Sequence, residues 1–223
     1  MKKFINLKEN KTTVFLLVLC TLSFAAHLCL LPLMPDTVPT HWSFDGTVDG
    51  YSTKYTTIFL SALPLLMLIL FFFIPKIDPR GKNYQKHEKA YQVFQVLIIL
   101  FCLVMNWSTN AVIFGYPLRI ELIAPLGLGA LFLAAGNYMP QIRPNYTFGI
   151  RTPWALESEW VWKKTHTMGG IVFCISGVIF LISAFFPEKL SFVALGVLLA
   201  GLFWLYLYSW LMFKKERNGQ NKE

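Results

Sequence analysis

Six long apolar runs constrain the fold of this chain more than any other feature. They are Val14–Leu33, Ile58–Ile74, Val93–Phe114, Leu122–Met139, Met168–Phe186 and Phe192–Phe213. A helix rises about 1.5 Å per residue, so roughly 17–25 residues cross the ~30 Å hydrocarbon layer of a bilayer. Backbone polar groups find no partner in lipid, and a continuous run satisfies them internally as an α-helix. His27 is the one residue within these runs that is readily charged near neutral pH. Only 14% of residues are charged, against about 25% in ordinary globular proteins. The expected fold is an all-α polytopic membrane protein with six transmembrane helices.

A formal net charge of +8 raises the question of a nucleic-acid partner, and the distribution of the charge answers it. Seventeen of the 20 basic residues fall before the first run, after the second, after the fourth and after the sixth. Only Lys54, Arg119 and Lys189 fall on the other side. This is the asymmetry of the positive-inside rule, placing both termini in the cytoplasm. The bilayer is therefore the expected partner of the basic residues, and no direct nucleic-acid contact is expected. The first run has about 20 apolar residues, more than the roughly 7–15 of a secretory signal, and reads as an uncleaved span. Cys20, Cys29, Cys102 and Cys174 lie inside apolar runs without CxxC spacing, so they read as buried apolar residues rather than disulfides or metal ligands.

The substantial loop expected outside runs from Met34 to Tyr55. Pro35 and Pro39 stiffen its start, and Asp45-Gly46 and Asp49-Gly50 are two turn signals. Trp42, Phe44, Tyr51 and Tyr55 suit the headgroup level, so the loop is expected to fold back as a compact cap. Its acidic surface suits a cationic peptide. His41, Asp45 and Asp49 offer cation-binding chemistry, but the two Asp-Gly turns account for the aspartates and no metal or cofactor is expected.

Within the membrane, Ser23 and His27 share a helical face, as do Asn106 and Asn110. Two readings stand for His27, Asn106 and Asn110: hydrogen-bonded helix–helix contacts, or a functional polar site. Pro64 predicts a kink in the second span. Ala130 with Ala134, and Gly196 with Ala200, are small-residue pairs suited to helix contact. The basic loop Pro75–Lys89 is expected to meet anionic lipid headgroups.

The polar stretch from Asn145 to Gly170 carries the densest set of residues that need a reason. Phe148-Gly149 permits a tight turn, and Thr152-Pro153 reads as an N-cap followed by a first-turn proline. The following WALESEWVWKKTH is expected to form a short amphipathic helix along the inner membrane surface, with Trp154, Val161 and Trp162 on one face.

The run NYTFGIRTPWALESEWVWKKTH resembles the signature of the SdpI family of bacterial membrane proteins. The earlier PDTVPTHWSFDGTVDGYSTK resembles the Pro–His-Trp–Gly–Tyr–Lys pattern of the domain that commonly precedes it. The resemblance implies a single six-span domain over 1–223. Within it, a companion-motif region covers 13–90 with its outer loop at 34–55, and an SdpI-like region covers 118–213 with its signature loop at 140–167. It further implies an immunity protein in the plasma membrane of a bacterial cell that protects its producer from a secreted toxin peptide, the sporulation-delay killing factor. The best-known member also senses the toxin and sequesters a small transcriptional repressor at the membrane. The family pattern falls on Pro39, His41, Trp42, Gly46, Tyr51 and Lys54 in the outer loop. In the cytoplasmic loop it falls on Asn145, Gly149, Arg151, Thr152, Trp154, Trp160 and His166. His41, Trp42, Asp45, Tyr51 and Lys54 are accordingly the expected toxin-binding set.

Two other function classes are weaker. A small-solute or peptide transporter or efflux protein usually carries ionisable residues at mid-membrane and repeated halves; here His27 stands alone and the halves do not repeat. An enzyme is not expected, since HExxH, GxSxG and an acidic pair within the spans are all missing. His41 beside Asp45 or Asp49, or Arg151 beside Glu157 and His166, have structural explanations, so no catalytic residue is assigned.

Overall fold

The computed structural model describes residues 11–220. Six of its helices are long and apolar enough to cross a membrane. They are α1 (Lys11–Leu30), α2 (Thr56–Ile77), α3 (Glu88–Ile113), α4 (Ile120–Tyr138), α6 (Glu159–Ser183) and α7 (Pro187–Gln220). Between α4 and α6 sits α5 (Pro153–Glu157), and between α1 and α2 a hairpin of β1 (Thr37–Trp42) and β2 (Val48–Thr53).

The helices pack as two sequential groups. α1, α2 and α3 contact one another around Leu16, Cys20, Leu68, Ile99 and Leu103, while α4, α6 and α7 form the second group and α3 meets α4 between them. The most extensive helix–helix contact is that of α4 with α6. A Cβ added at Gly136 would lie 2.6 Å from Gly170 O, and one at Gly177 would lie 2.9 Å from Gly129 O. Backbones approach this closely only where side chains are missing, and lipid provides no hydrophobic drive to replace such packing. The small-residue seam therefore runs through Gly129 and Gly136, seven residues apart on one face of α4. The expected contacts are corrected accordingly: Ala130 is exposed, and Gly196 has open space around its Cα.

The loop between α1 and α2 forms a cap, but as an antiparallel hairpin. Its turn is at Asp45-Gly46, where Gly46 has φ +86° and Asp45 Oδ1 accepts from Thr47 N at 2.9 Å. Asp49-Gly50, expected as a second turn, lies within β2. His41 pairs with Gly50 and Trp42 with Val48, so Asp49 is an extra residue in the ladder, a bulge rather than a turn. The tip reaches the second helix group. A Cβ at Gly46 would meet the Glu121 carboxylate at the start of α4, and Phe44 packs edge-on against Phe192 of α7 at 4.5 Å.

At the other end the short helix between the fourth and fifth spans is present, but it stops at Glu157. Ser158 is extended (φ −126°, ψ 128°) and accepts from Val161 N at 3.2 Å, so it N-caps α6. Most of the stretch expected to lie on the membrane surface, from Glu159 to His166, is the first two turns of the fifth span. Val161 and Trp162 are buried there against Met139, Ile142 and Ala155.

Candidate functional site

Polar side chains gather at both ends of the bundle. The larger assembly forms at the α5 end, around Asp78. This residue caps α2 between Pro75 and Pro79, and only 6% of it is exposed. Its Oδ1 accepts from Arg80 N at 2.7 Å. Its Oδ2 accepts from Thr147 Oγ1 at 2.7 Å and Tyr146 N at 2.9 Å, and the Tyr84 hydroxyl lies 3.2 Å away. Burial pushes this carboxyl's pKa upward, but the hydrogen bonds from Thr147, Arg80, Tyr146 and Tyr84 outweigh it and hold it below the ordinary value.

Asn145 is fully buried and closes the loop on itself. Its Oδ1 accepts from Thr147 N at 3.0 Å and Phe148 N at 2.6 Å, and its amide donates to Arg143 O at 2.9 Å. This is the Asx turn that makes asparagine a loop former. The Tyr84 hydroxyl touches Thr147 Oγ1 and also lies 3.2 Å from Asn145 Oδ1. The loop then turns at Gly149, whose φ of +107° disfavours any side chain and whose Cβ would sit 2.5 Å from His166 Nε2.

His166 joins this turn to the fifth span. Its Nε2 accepts from Ile150 N at 3.1 Å and its Nδ1–H donates to Trp162 O at 2.9 Å. Because a backbone N–H can only donate and a carbonyl only accept, the ring is held as the Nδ1–H tautomer. Trp162 stacks on it at 4.0 Å and donates to Ile142 O at 2.8 Å. His87 mirrors this role from before α3, its Nδ1 accepting from Arg143 N at 3.2 Å.

The residues expected to act at this end therefore divide. Asn145, Gly149 and His166 hold the loop's shape. Thr152 caps α5 by accepting from Ala155 N at 3.2 Å and touches Ser209 of α7. Trp154 packs edge-on against Tyr206 at 5.0 Å. Arg151 and Trp160 face outward: Arg151 donates to Tyr146 O at 2.8 Å, and Lys164 lies 5.7 Å from the Trp160 ring. Asp78, Tyr84, His87, Thr147 and Trp162 belong to the same assembly, although sequence reasoning did not single them out as site residues. The signal was available in Asp78, an acidic residue between two prolines in a strongly basic loop.

At the hairpin end the polar groups are mostly on the surface. His41 Nδ1 meets Asp49 Oδ1 at 2.5 Å, with side chains 72% and 47% exposed. Tyr51 is exposed and Trp42 half-buried. Asp45 serves the turn, its pKa lowered chiefly by the hydrogen bond from the Thr47 hydroxyl. Lys54 points the other way, pairing with Asp36 at 3.0 Å and donating to Met34 O at 3.4 Å beneath the hairpin. It anchors the hairpin's base.

Beneath that base, His27 sits fully buried between helices. Asn110 Nδ2 donates to its Nδ1 at 3.1 Å, its Nε2 meets Thr57 Oγ1 at 3.1 Å, and Thr57 donates to Lys54 O at 2.5 Å. Trp107 donates to Ser23 Oγ at 2.9 Å. Asn106 is equally buried, yet neither polar atom of its side chain has a hydrogen-bond partner among the described residues. No group of three or more His, Cys, Asp or Glu is placed to hold a metal among the described residues. The assembly at the α5 end directs its hydrogen bonds mainly at loop backbone, whereas those around His27 join mainly side chain to side chain across helices.

Comparison with known proteins finds relatives for two parts of the chain and for nearly its full length. Residues 141–209 match the SdpI/YfhL protein family, and residues 18–68 match a domain of unknown function, DUF1648. The chain is 28% identical over 207 residues to the immunity protein SdpI of Bacillus subtilis (strain 168), covering 92% of this chain and 97% of that one. No solved structure matches.

Proposed function

We propose that this chain, which belongs to the SdpI/YfhL family, is a cell-membrane immunity protein acting against a secreted antimicrobial peptide. The observation that carries this reading is the match to an immunity protein along nearly the full length of both chains. Six membrane-length helices agree with it. The hairpin faces outward and both termini face the cytoplasm, as the location of 17 of the 20 basic residues supports. Toxin contacts the exposed face of the hairpin through His41, Asp45 and Tyr51, with Trp42 beside them and Lys54 fixing the base. The opposite end carries a second function, in which toxin sensing leads to capture of a small transcriptional repressor through the outward-facing Arg151 and Trp160. The buried chain from Lys54 through Thr57 and His27 to Asn110 supports this by tying the hairpin base to the interior of the bundle.

Survival of a toxin-sensitive bacterium expressing the chain, challenged with the killing peptide, tests the reading. Wild type protects. A His41→Ala/Tyr51→Ala variant of equal abundance loses protection, whereas Arg151→Ala keeps protection and loses induction of a repressor-controlled reporter. Failure of abundant wild type to protect would reject immunity to that peptide.

A further inference from the structure

A concave cleft of about 690 Å³ opens at the α5 end, beside the buried network. It is lined by the turn before α3, the segment leaving α4 and the first turns of α6, and carries Lys86, Arg143, Lys163, Glu159, Trp160 and Asn83. We propose that this cleft binds the phosphate of an anionic phospholipid headgroup.

Charge is the first argument. Three cations face one carboxylate, and all four side chains are exposed. Several other basic residues at this end lie near rings: Lys76 lies over Phe72 at 3.4 Å, Arg80 over Tyr146 at 5.0 Å and Lys164 near Trp160 at 5.7 Å, while Lys82, Lys89 and Lys215 are outside the lining of the cleft. Lys214 and Arg217 likewise lie over Trp210 and Phe213. Among the described residues, Lys86, Arg143 and Lys163 have neither a carboxylate nor a ring partner. Three unneutralised cations around one hollow repel one another and favour an anion between them.

Preorganisation is the second argument. The backbone of Arg143 is held on both sides, its N–H by His87 Nδ1 at 3.2 Å and its carbonyl by the Asn145 amide at 2.9 Å. Its guanidinium therefore projects from a fixed point, and the planar fork suits two phosphate oxygens at once. Asn83 braces the same wall by donating to Pro144 O at 2.7 Å.

Location selects a lipid over a free anion. Every wall of the cleft adjoins the end of a membrane-length helix, so it opens where headgroups lie. Trp160, 38% exposed, sits at its rim as interfacial tryptophans do. Pro140, Ile142 and Pro144 add an apolar wall for the lipid's glycerol region.

The test is lipid retention by the purified full chain in detergent, measured by native mass spectrometry during titration with phosphatidylglycerol, phosphatidylcholine or inorganic phosphate. Wild type is expected to retain phosphatidylglycerol and not phosphatidylcholine. Each cation near the surface contributes about fivefold in affinity, so Lys86→Gln should weaken retention about fivefold and Arg143→Gln/Lys163→Gln about 25-fold. Lys215→Gln, outside the cleft, should leave retention unchanged. Lys86→Gln sits on an exposed turn and reads the site even if the double variant is unstable. Equal retention of the two lipids, or wild-type retention by Lys86→Gln and by a folded double variant, overturns the proposal. Displacement of the lipid by inorganic phosphate at matched concentration also overturns it, since the site would then serve a free anion.

Discussion

The two ends of the molecule treat polar residues in opposite ways. At the hairpin end, His41 and Asp49 pair on the surface and Tyr51 stands free in solvent. At the α5 end, Asp78, Asn145 and His166 are buried, and each is spent on two or more hydrogen bonds that hold the loop or tie it to a helix. A surface pair contributes little to stability and remains available to a partner. A buried network costs a great deal to interrupt and leaves nothing over for recognition. Family-pattern residues thus differ in setting: His41 and Tyr51 are exposed at the hairpin, whereas Asn145, Gly149 and His166 hold the signature loop, with Arg151 and Trp160 its outward-facing members.

This contrast can be broken most sharply at Asp78. Asp78→Ala leaves the Thr147 hydroxyl and the backbone N–H groups of Tyr146 and Arg80 without their acceptor. The expected loss is about 3 kcal/mol, read as a lower unfolding temperature in detergent. The same carboxyl gives a pH signature. Its folded pKa lies below the ordinary value, so its stabilisation is complete at neutral pH and is lost as pH falls below about 4 and through the folded pKa. Asp78→Asn should lack that acid-induced decrement.

A smaller effect is expected at the turn. Gly149→Ala forces a side chain into a left-handed conformation and against His166 Nε2, at a cost of about 2 kcal/mol. A fall in unfolding temperature together with faster amide exchange at Ile150 would confirm it, because the Ile150 N–H depends on that imidazole. The smallest stability effect is expected at the opposite end. His41→Gln should change stability by less than about 0.5 kcal/mol, as an exposed pair does, yet weaken protection against toxin. A large loss of stability there would erase the distinction between the ends.

Relatively little of the signature-loop assembly was legible beforehand, and particular residues show why. Asn145, Gly149 and His166 stood out by type and spacing. The residues that hold this loop from the other segment, Asp78 through Tyr146 and Thr147, Tyr84 through Asn145 and His87 through Arg143, lie 56–69 residues away in sequence, in a loop that composition marks only as basic. They also fall outside both regions that match known families. Lys54 entered the expected toxin-binding set through the family resemblance, and the structure folds it under the hairpin toward Asp36.

The sequence alone determined the six spans and the cap of α5. Transfer of an apolar run into lipid is a sum over adjacent residues, and an N-cap such as Thr152 bonds a backbone N–H three residues on. The tertiary structure decided the hairpin's bulged register, the glycine seam between α4 and α6, and the Asp78–Asn145–His166 network. These depend on which buried donor meets which acceptor once helices distant in sequence have packed, and hydropathy carries no information about such pairings.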